Sequence, residues 1–275
     1  MPFYRFFIIF VVMKITFLGT GTSQGVPVIG CKCEVCRSQD RRDNRLRTSA
    51  MVELLGKRLI IDAGPDFRYQ MLRQRITHID AILLTHQHKD HTAGIDDVRA
   101  FNFVDYPTIH TMHIYGNEPT IARVKHEYDY AFADNKYRGV PEIELHTISE
   151  SDSFKVSDIE IVPIIGEHSK RFRSVGYRIG SLAYITDFSH IDDSELAKLY
   201  NLDTLVINAL RWKPHDSHFS VDEALEVIKR VQPKRAYITH MSHRIGLHSE
   251  AEQQLPENVH LAYDGLEVEV NDYRE

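Results

Sequence analysis

The densest chemistry in this chain lies in His86-Gln87-His88-Lys89-Asp90-His91, where four candidate metal ligands fall within one short segment. In extended backbone His86 and His88 project to the same side. A turn through Lys89 then aims Asp90 and His91 at a second point nearby. Imidazole and carboxylate donors aimed at two neighbouring points suit a pair of borderline divalent ions, Zn²⁺ or Mn²⁺. The bland alternative is a polar loop with surface histidines. The position of this segment, directly after the apolar run Ala81-Ile82-Leu83-Leu84-Thr85, favours a dinuclear hydrolase site instead.

The elements that would position these ligands repeat one pattern, an apolar strand that ends in a functional residue. Arg58-Leu59-Ile60-Ile61 runs into Asp62-Ala63-Gly64, Leu182 to Thr186 into Asp187, Thr204 to Asn208 towards Arg211, and Ala236 to Thr239 into His240. Unbroken apolar runs predict strands buried on both faces. Between them, Val221 to Arg230 has helical spacing with Ser220 as N-cap and Glu223 three residues on. Asp66 to Arg75 predicts a shorter helix. Residues 101–140, rich in Tyr, Phe and His, show no clean period and read as a lid, a specificity insert or simply core. No linker or repeat divides the chain, so residues 13–275 are expected to form one domain. Residues 1–12 lead into a first strand at Lys14 and contain an apolar stretch too short to span a membrane, which takes roughly 20 residues. They read as an extension upstream of a start at Met13, and the protein as cytoplasmic.

The His-x-His-x-Asp-His segment after an apolar strand resembles the signature of the metallo-β-lactamase superfamily, over most of the chain from Met13 to about Gly265. The resemblance implies an α/β fold, a four-layered αββα sandwich with two metal ions at the sheet ends. It implies that His86, His88, His168 and Asp187 hold one ion, and that Asp90, His91, His240 and the bridging Asp187 hold the other. Asp62 matches an aspartate that orients a ligand histidine rather than binding metal.

All three cysteines lie in Cys31-Lys32-Cys33-Glu34-Val35-Cys36. An odd, tight cluster argues for metal rather than disulfides. Three thiolates need a fourth ligand to close a tetrahedral structural zinc, and His243, three residues beyond His240, is the best candidate. Gly19-Thr20-Gly21-Thr22-Ser23, Pro27, Cys-x-Cys-x-x-Cys and His240-x-x-His243 together resemble the bacterial phosphodiesterases that act on a phosphoribosyl cyclic phosphate in phosphonate breakdown. In that group the cysteines and the late histidine bind zinc. The glycines lack the pattern of a nucleotide loop and read as a tight turn at a strand end.

That resemblance implies hydrolysis of a small phosphodiester by hydroxide shared between two ions. His218 and Asp90 are the candidate catalytic residues. His218, just before the Ser220 cap, would protonate the leaving oxygen, with His215 as its rival, and Arg173 and Arg211 would help bind phosphate. A formal charge of −6 gives no general attraction to nucleic acid. The basic run Arg41 to Arg47 reads as a solvated loop, its sharper alternative being a rim for an anionic substrate. Weighed against the phosphodiesterase are a transfer-RNA 3′-end endonuclease, a lactone or thioester hydrolase, and a non-catalytic metal-binding module. A homodimer is expected from the resemblance alone.

Overall fold

In the central strands, neighbouring side chains enter different cores. Leu59 and Ile61 pack between two sheets, while Ile60 packs on the far side against helices. Tyr184 and Val206 lie between the sheets, whereas Ala183, Ile185, Leu205 and Ile207 face a second helical layer. Alternation of this kind needs apolar residues at every position, which is why these strands are unbroken apolar runs.

The computed structural model of the chain describes residues 9–274. In chain order the strands are β1 (Ile9–Gly19), β2 (Ser49–Leu54), β3 (Lys57–Ile61), β4 (Ala81–Leu83), β5 (Met112–Gly116), β6 (Ile143–Thr147) and β7 (Phe154–Val156). They continue with β8 (Ile159–His168), β9 (Phe172–Ile179), β10 (Leu182–Ile185), β11 (Thr204–Asn208), β12 (Arg235–Thr239), β13 (Val259–Leu261) and β14 (Glu267–Arg274). One sheet has the order β14-β1-β2-β3-β4-β5-β6, the other β13-β12-β11-β10-β9-β8-β7. Strands β3 to β6 are parallel, as are β10 to β13. Helices Phe67–Arg73 and Glu118–Glu127 cover the first sheet, and helix Val221–Val231 covers the second. This is the expected four-layered αββα sandwich.

Ser220 and Glu223 close a reciprocal capping box at the start of Val221–Val231, as their spacing predicts. The shorter helix expected between Asp66 and Arg75 is Phe67–Arg73, whereas three other expectations need adjustment. Residues 101–140 contribute β5 and helix Glu118–Glu127 to the sandwich, so much of this stretch belongs to the fold's own layers. Asn117 caps that helix and Pro119 sits in its first turn, a start signal the aromatic-rich surroundings obscure. Strand β1 begins at Ile9 and pairs with β14, upstream of the expected start at Lys14. The suggested extension otherwise falls on residues 1–8, outside the described residues.

The basic run is only partly a solvated loop. The Arg45 side chain is fully buried, its Nη2 3.5 Å from Asp43 Oδ1, and Arg47 pairs with Asp66 at 3.0 and 3.1 Å. The reason is backbone pairing, since Arg45 exchanges two hydrogen bonds with Val26 and Gly21 bridges Arg47. The glycines serve this close approach, because a Cβ on Gly19 would stand 2.0 Å from the Arg47 carbonyl oxygen.

Candidate metal centre

Parallel strands deliver their functional residues at carboxyl ends, where loops rather than further strands follow. Asp62 and His240 come directly after β3 and β12, Asp187 one residue beyond β10, and each adopts positive φ (64°, 58° and 62°). This sparsely populated backbone turns the chain sharply at each strand end, a form of local strain typical of functional sites. The loop after β4 carries His86, then His88 at the N-cap of the short helix Lys89–Thr92 that holds Asp90 and His91. It packs on Gly64 so closely that a Cβ there would meet the Asp90 carbonyl oxygen at 2.0 Å.

Two ligand groups result. His88 Nδ1 lies 3.0 Å from His86 Nε2 and 3.2 Å from His168 Nε2. In the second group His91 Nε2 lies 3.2 Å from Asp90 Oδ2 and 3.4 Å from Asp187 Oδ2, and His240 Nε2 lies 3.1 Å from Asp187 Oδ1. Asp187 also approaches His168 Nε2 at 4.0 Å, so one carboxylate faces both groups. All seven residues from the sequence are therefore gathered in one place. Ligand atoms on a tetrahedral ion with bonds near 2.05 Å stand about 3.3 Å apart, close to these separations.

Hydrogen bonds fix which ring nitrogens face inward. His91 Nδ1 donates to Asp62 Oδ2 at 2.7 Å, and the Thr85 backbone N–H and hydroxyl also donate to Asp62. A hydroxyl has one proton to give, so Thr85 Oγ1 accepts from His86 Nδ1 at 3.1 Å. His168 Nδ1 donates to the Ser217 carbonyl at 2.8 Å. The Nε2 atoms of His86, His91 and His168 are thus left as lone pairs directed at the centre. Thr85 and the Ser217 carbonyl were not singled out in the sequence; the position of Thr85 between strand and ligand was a usable signal.

The electrostatics match this chemistry. Burial opposes charge on Asp187, but His240 and His91 outweigh it and hold its pKa well below the ordinary carboxylate range. Burial also works against protonated His91, and the charges of Asp187, Asp90 and Asp62 raise it well above its usual value. The shift of His91 expresses a buried concentration of carboxylate charge that calls for a cation. His91 Nε2 and both ring nitrogens of His240 are buried without a hydrogen-bond partner, which fits nitrogens that bind metal. The residues present suit divalent ions.

His218 stacks on His168 with ring centroids 4.9 Å apart, and its Nδ1 is 3.9 Å from Asp187 Oδ1. Burial, then the neighbouring His240, push its pKa down to about 3. His215 lies farther out, stacked on His218 at 5.4 Å. Arg173 lines a cavity of about 390 Å³ beside His86, together with Arg171, Phe172 and Asn117, which the sequence did not single out. Arg211 is not brought to the centre; its guanidinium donates to the Lys213 and Pro214 carbonyls.

The cysteine cluster is separate and built differently. The Cys31, Cys33 and Cys36 sulfurs stand 3.4, 3.3 and 3.5 Å from His243 Nδ1. Mixed sulfur and nitrogen ligands on a tetrahedral zinc stand roughly 3.5 Å apart. These residues sit on loops and single 3₁₀ turns, Val35–Arg37 and His243–Ile245.

A protein-family model described as a β-lactamase superfamily domain matches residues 57–241, and the chain belongs to that superfamily. Its two facing sheets flanked by helices are the metallo-β-lactamase fold. Among solved structures, a new diphosphatase from the PhnP family superposes with TM-score 0.87 at 40% identity, covering 96% of this chain and 100% of that one. An octanoyltransferase of Porphyromonas gingivalis is 37% identical over 262 residues, 94% of this chain but 52% of its own length. The chain spans about half the length, or less, of the curated relatives it matches. The short-form human tRNase Z has TM-score 0.69 at 18% identity over 93% of this chain and 98% of its own, a likeness of fold alone.

Proposed function

We propose that the protein is a metal-dependent phosphodiesterase acting on a small, and specifically a cyclic, phosphodiester. The observation that carries this reading is the 40% identity with a PhnP-family diphosphatase along nearly the whole chain. His86, His88 and His168 would hold one divalent ion, Asp90, His91 and His240 the other, and Asp187 both. Zn²⁺ or Mn²⁺ in these places would supply Lewis acidity towards the phosphoryl oxygens and acidify a water. Cys31, Cys33, Cys36 and His243 would hold a structural Zn²⁺. A cytoplasmic location and a homodimer belong to the same proposal.

The chain's own residues have distinct parts. Asp62, through His91, and Thr85, through His86, keep ligand lone pairs aimed inward. Asp90, less buried than Asp187, accepts a hydrogen bond from the attacking water and orients it. With one proton of the water released to solvent, its oxygen forms the new bond to phosphorus, the bond to the leaving alcohol oxygen breaks, and that oxygen takes a proton from His218. Alone, a ring with a pKa near 3 is neutral at pH 7. A phosphodiester anion against the ring works in the opposite direction, so proton donation is tied to substrate occupancy. Arg173, at the edge of the adjoining cavity, is the proposed phosphate contact; Arg211 is tied to its own loop.

The test is a panel of a cyclic ribose phosphodiester, bis(4-nitrophenyl) phosphate, a nucleoside diphosphate ester, a lactone, an octanoyl thioester and precursor transfer RNA, each with Zn²⁺ and with Mn²⁺. Preference for the small phosphodiesters supports the proposal. Faster turnover of the transfer RNA or of the acyl compounds would replace it with the nuclease or acyl-hydrolase reading. The octanoyltransferase match gives a reason to include the thioester.

A further inference from the structure

We propose a further metal site on the outer edge of the first sheet, formed by His113, Glu144 and His146, which takes a borderline divalent ion such as Zn²⁺, Ni²⁺ or Cu²⁺. Strand β6 is the last of its sheet, and its register sets His113 of β5 opposite Glu144 and Tyr115 opposite His146. Residues two apart share a face, so two imidazoles and a carboxylate meet on one side of a two-strand ribbon. Tyr115 stacks on His146 (4.4 Å between centroids, 14° between planes) and on Phe154 at 5.6 Å, which fixes the His146 ring.

His113 Nδ1 is 3.0 Å from His146 Nε2, and Glu144 offers one oxygen to each ring, at 3.6 Å from His113 and 3.7 Å from His146. These separations bracket the roughly 3.3 Å expected between ligands on one tetrahedral ion. They also parallel the 3.0 and 3.2 Å spacings within the His86, His88 and His168 group. A hydrogen bond between two neutral imidazoles explains the short N···N distance, but not a carboxylate that splits its oxygens between both rings. The side chains of His113, Glu144 and His146 are 41%, 58% and 29% exposed, so the remaining coordination positions open to solvent. Such a site exchanges its ion readily, and two imidazoles select against Mg²⁺ and Ca²⁺. None of its residues takes part in the central cluster or the cysteine cluster.

The experiment adds Cu²⁺ to zinc-loaded protein and records its electron paramagnetic resonance alongside total metal content. Wild type should bind one extra copper with hyperfine splitting from two nitrogens, and Mg²⁺ should not compete. H113Q and H146Q should lose that ion and that signal while retaining zinc and hydrolysis. E144Q, a change at an exposed side chain, should weaken copper binding at least tenfold and carries the test should a histidine variant fail to fold. Unchanged copper content and spectrum in E144Q, or in either folded histidine variant, would overturn the site and leave an ordinary imidazole pair.

Discussion

The central cluster and the cysteine cluster both gather side chains at metal-ligand spacing, yet they reach it by opposite means. In the first, rigid strands set the positions, and Asp62, Thr85 and the Ser217 carbonyl fix the rings before any ion arrives. In the second, four candidate ligands come from loops and 3₁₀ turns rather than from strand ends, so the proposed zinc would itself help to hold the loops together. A site shaped by its scaffold commits little folding free energy to the metal, whereas a site shaped by its metal commits much of it. Damage to the first should therefore appear in chemistry, and damage to the second in stability.

Asp187→Ala gives the largest expected effect. It removes the one carboxylate that faces both ligand groups, so metal analysis should show loss of at least one ion and the assay should fall to background. Full metal content with full activity would end the assignment. His218→Ala comes next: positioned acids contribute about 10²–10⁴-fold, and only where the leaving group needs a proton. Hydrolysis of an unactivated cyclic phosphodiester should drop by that range, bis(4-nitrophenyl) phosphate should suffer much less, and the ions should stay. Equal losses on both substrates would make His218 a phosphate contact and direct the search for the acid to His215.

Asp62→Asn should cost about 10–100-fold in metal affinity or turnover, because it weakens the acceptor that orients His91. An activity equal to wild type at limiting metal would contradict that role. Cys33→Ser should have the smallest effect on turnover and the clearest one on heat stability, with one zinc released and earlier melting. Unchanged zinc and melting temperature would erase the contrast between the two clusters.

Much of the centre was legible because each ligand follows an apolar strand, and a strand buried on both faces leaves few ways to place its last residue. His168, Asp187 and His240 also stand at strand ends, but only the superfamily resemblance picked them out, because a lone histidine in such a place is more often a surface or core residue. Residues whose surroundings come from elsewhere in the fold were harder. Arg45 looks like a surface charge until its backbone pairs with Val26, and Arg211 looks like a phosphate contact until its loop folds back on it. Burial of His218, then its closeness to His240, lowers its pKa, and no local pattern carries that information. Residues 101–140 hid β5 and a helix because their aromatics serve several faces at once.

The distribution of ligands between the two sheets has a consequence for how the molecule is put together. The loops of the first sheet contribute His86, His88, Asp90 and His91, whereas the second contributes His168, Asp187 and His240. Neither ligand group is complete on one side. Two ions seated there would lie on the seam between the sheets, and a half-assembled chain would offer no finished socket for either. Metal acquisition would then be the closing step of assembly, and a loaded centre the record that both sheets have docked.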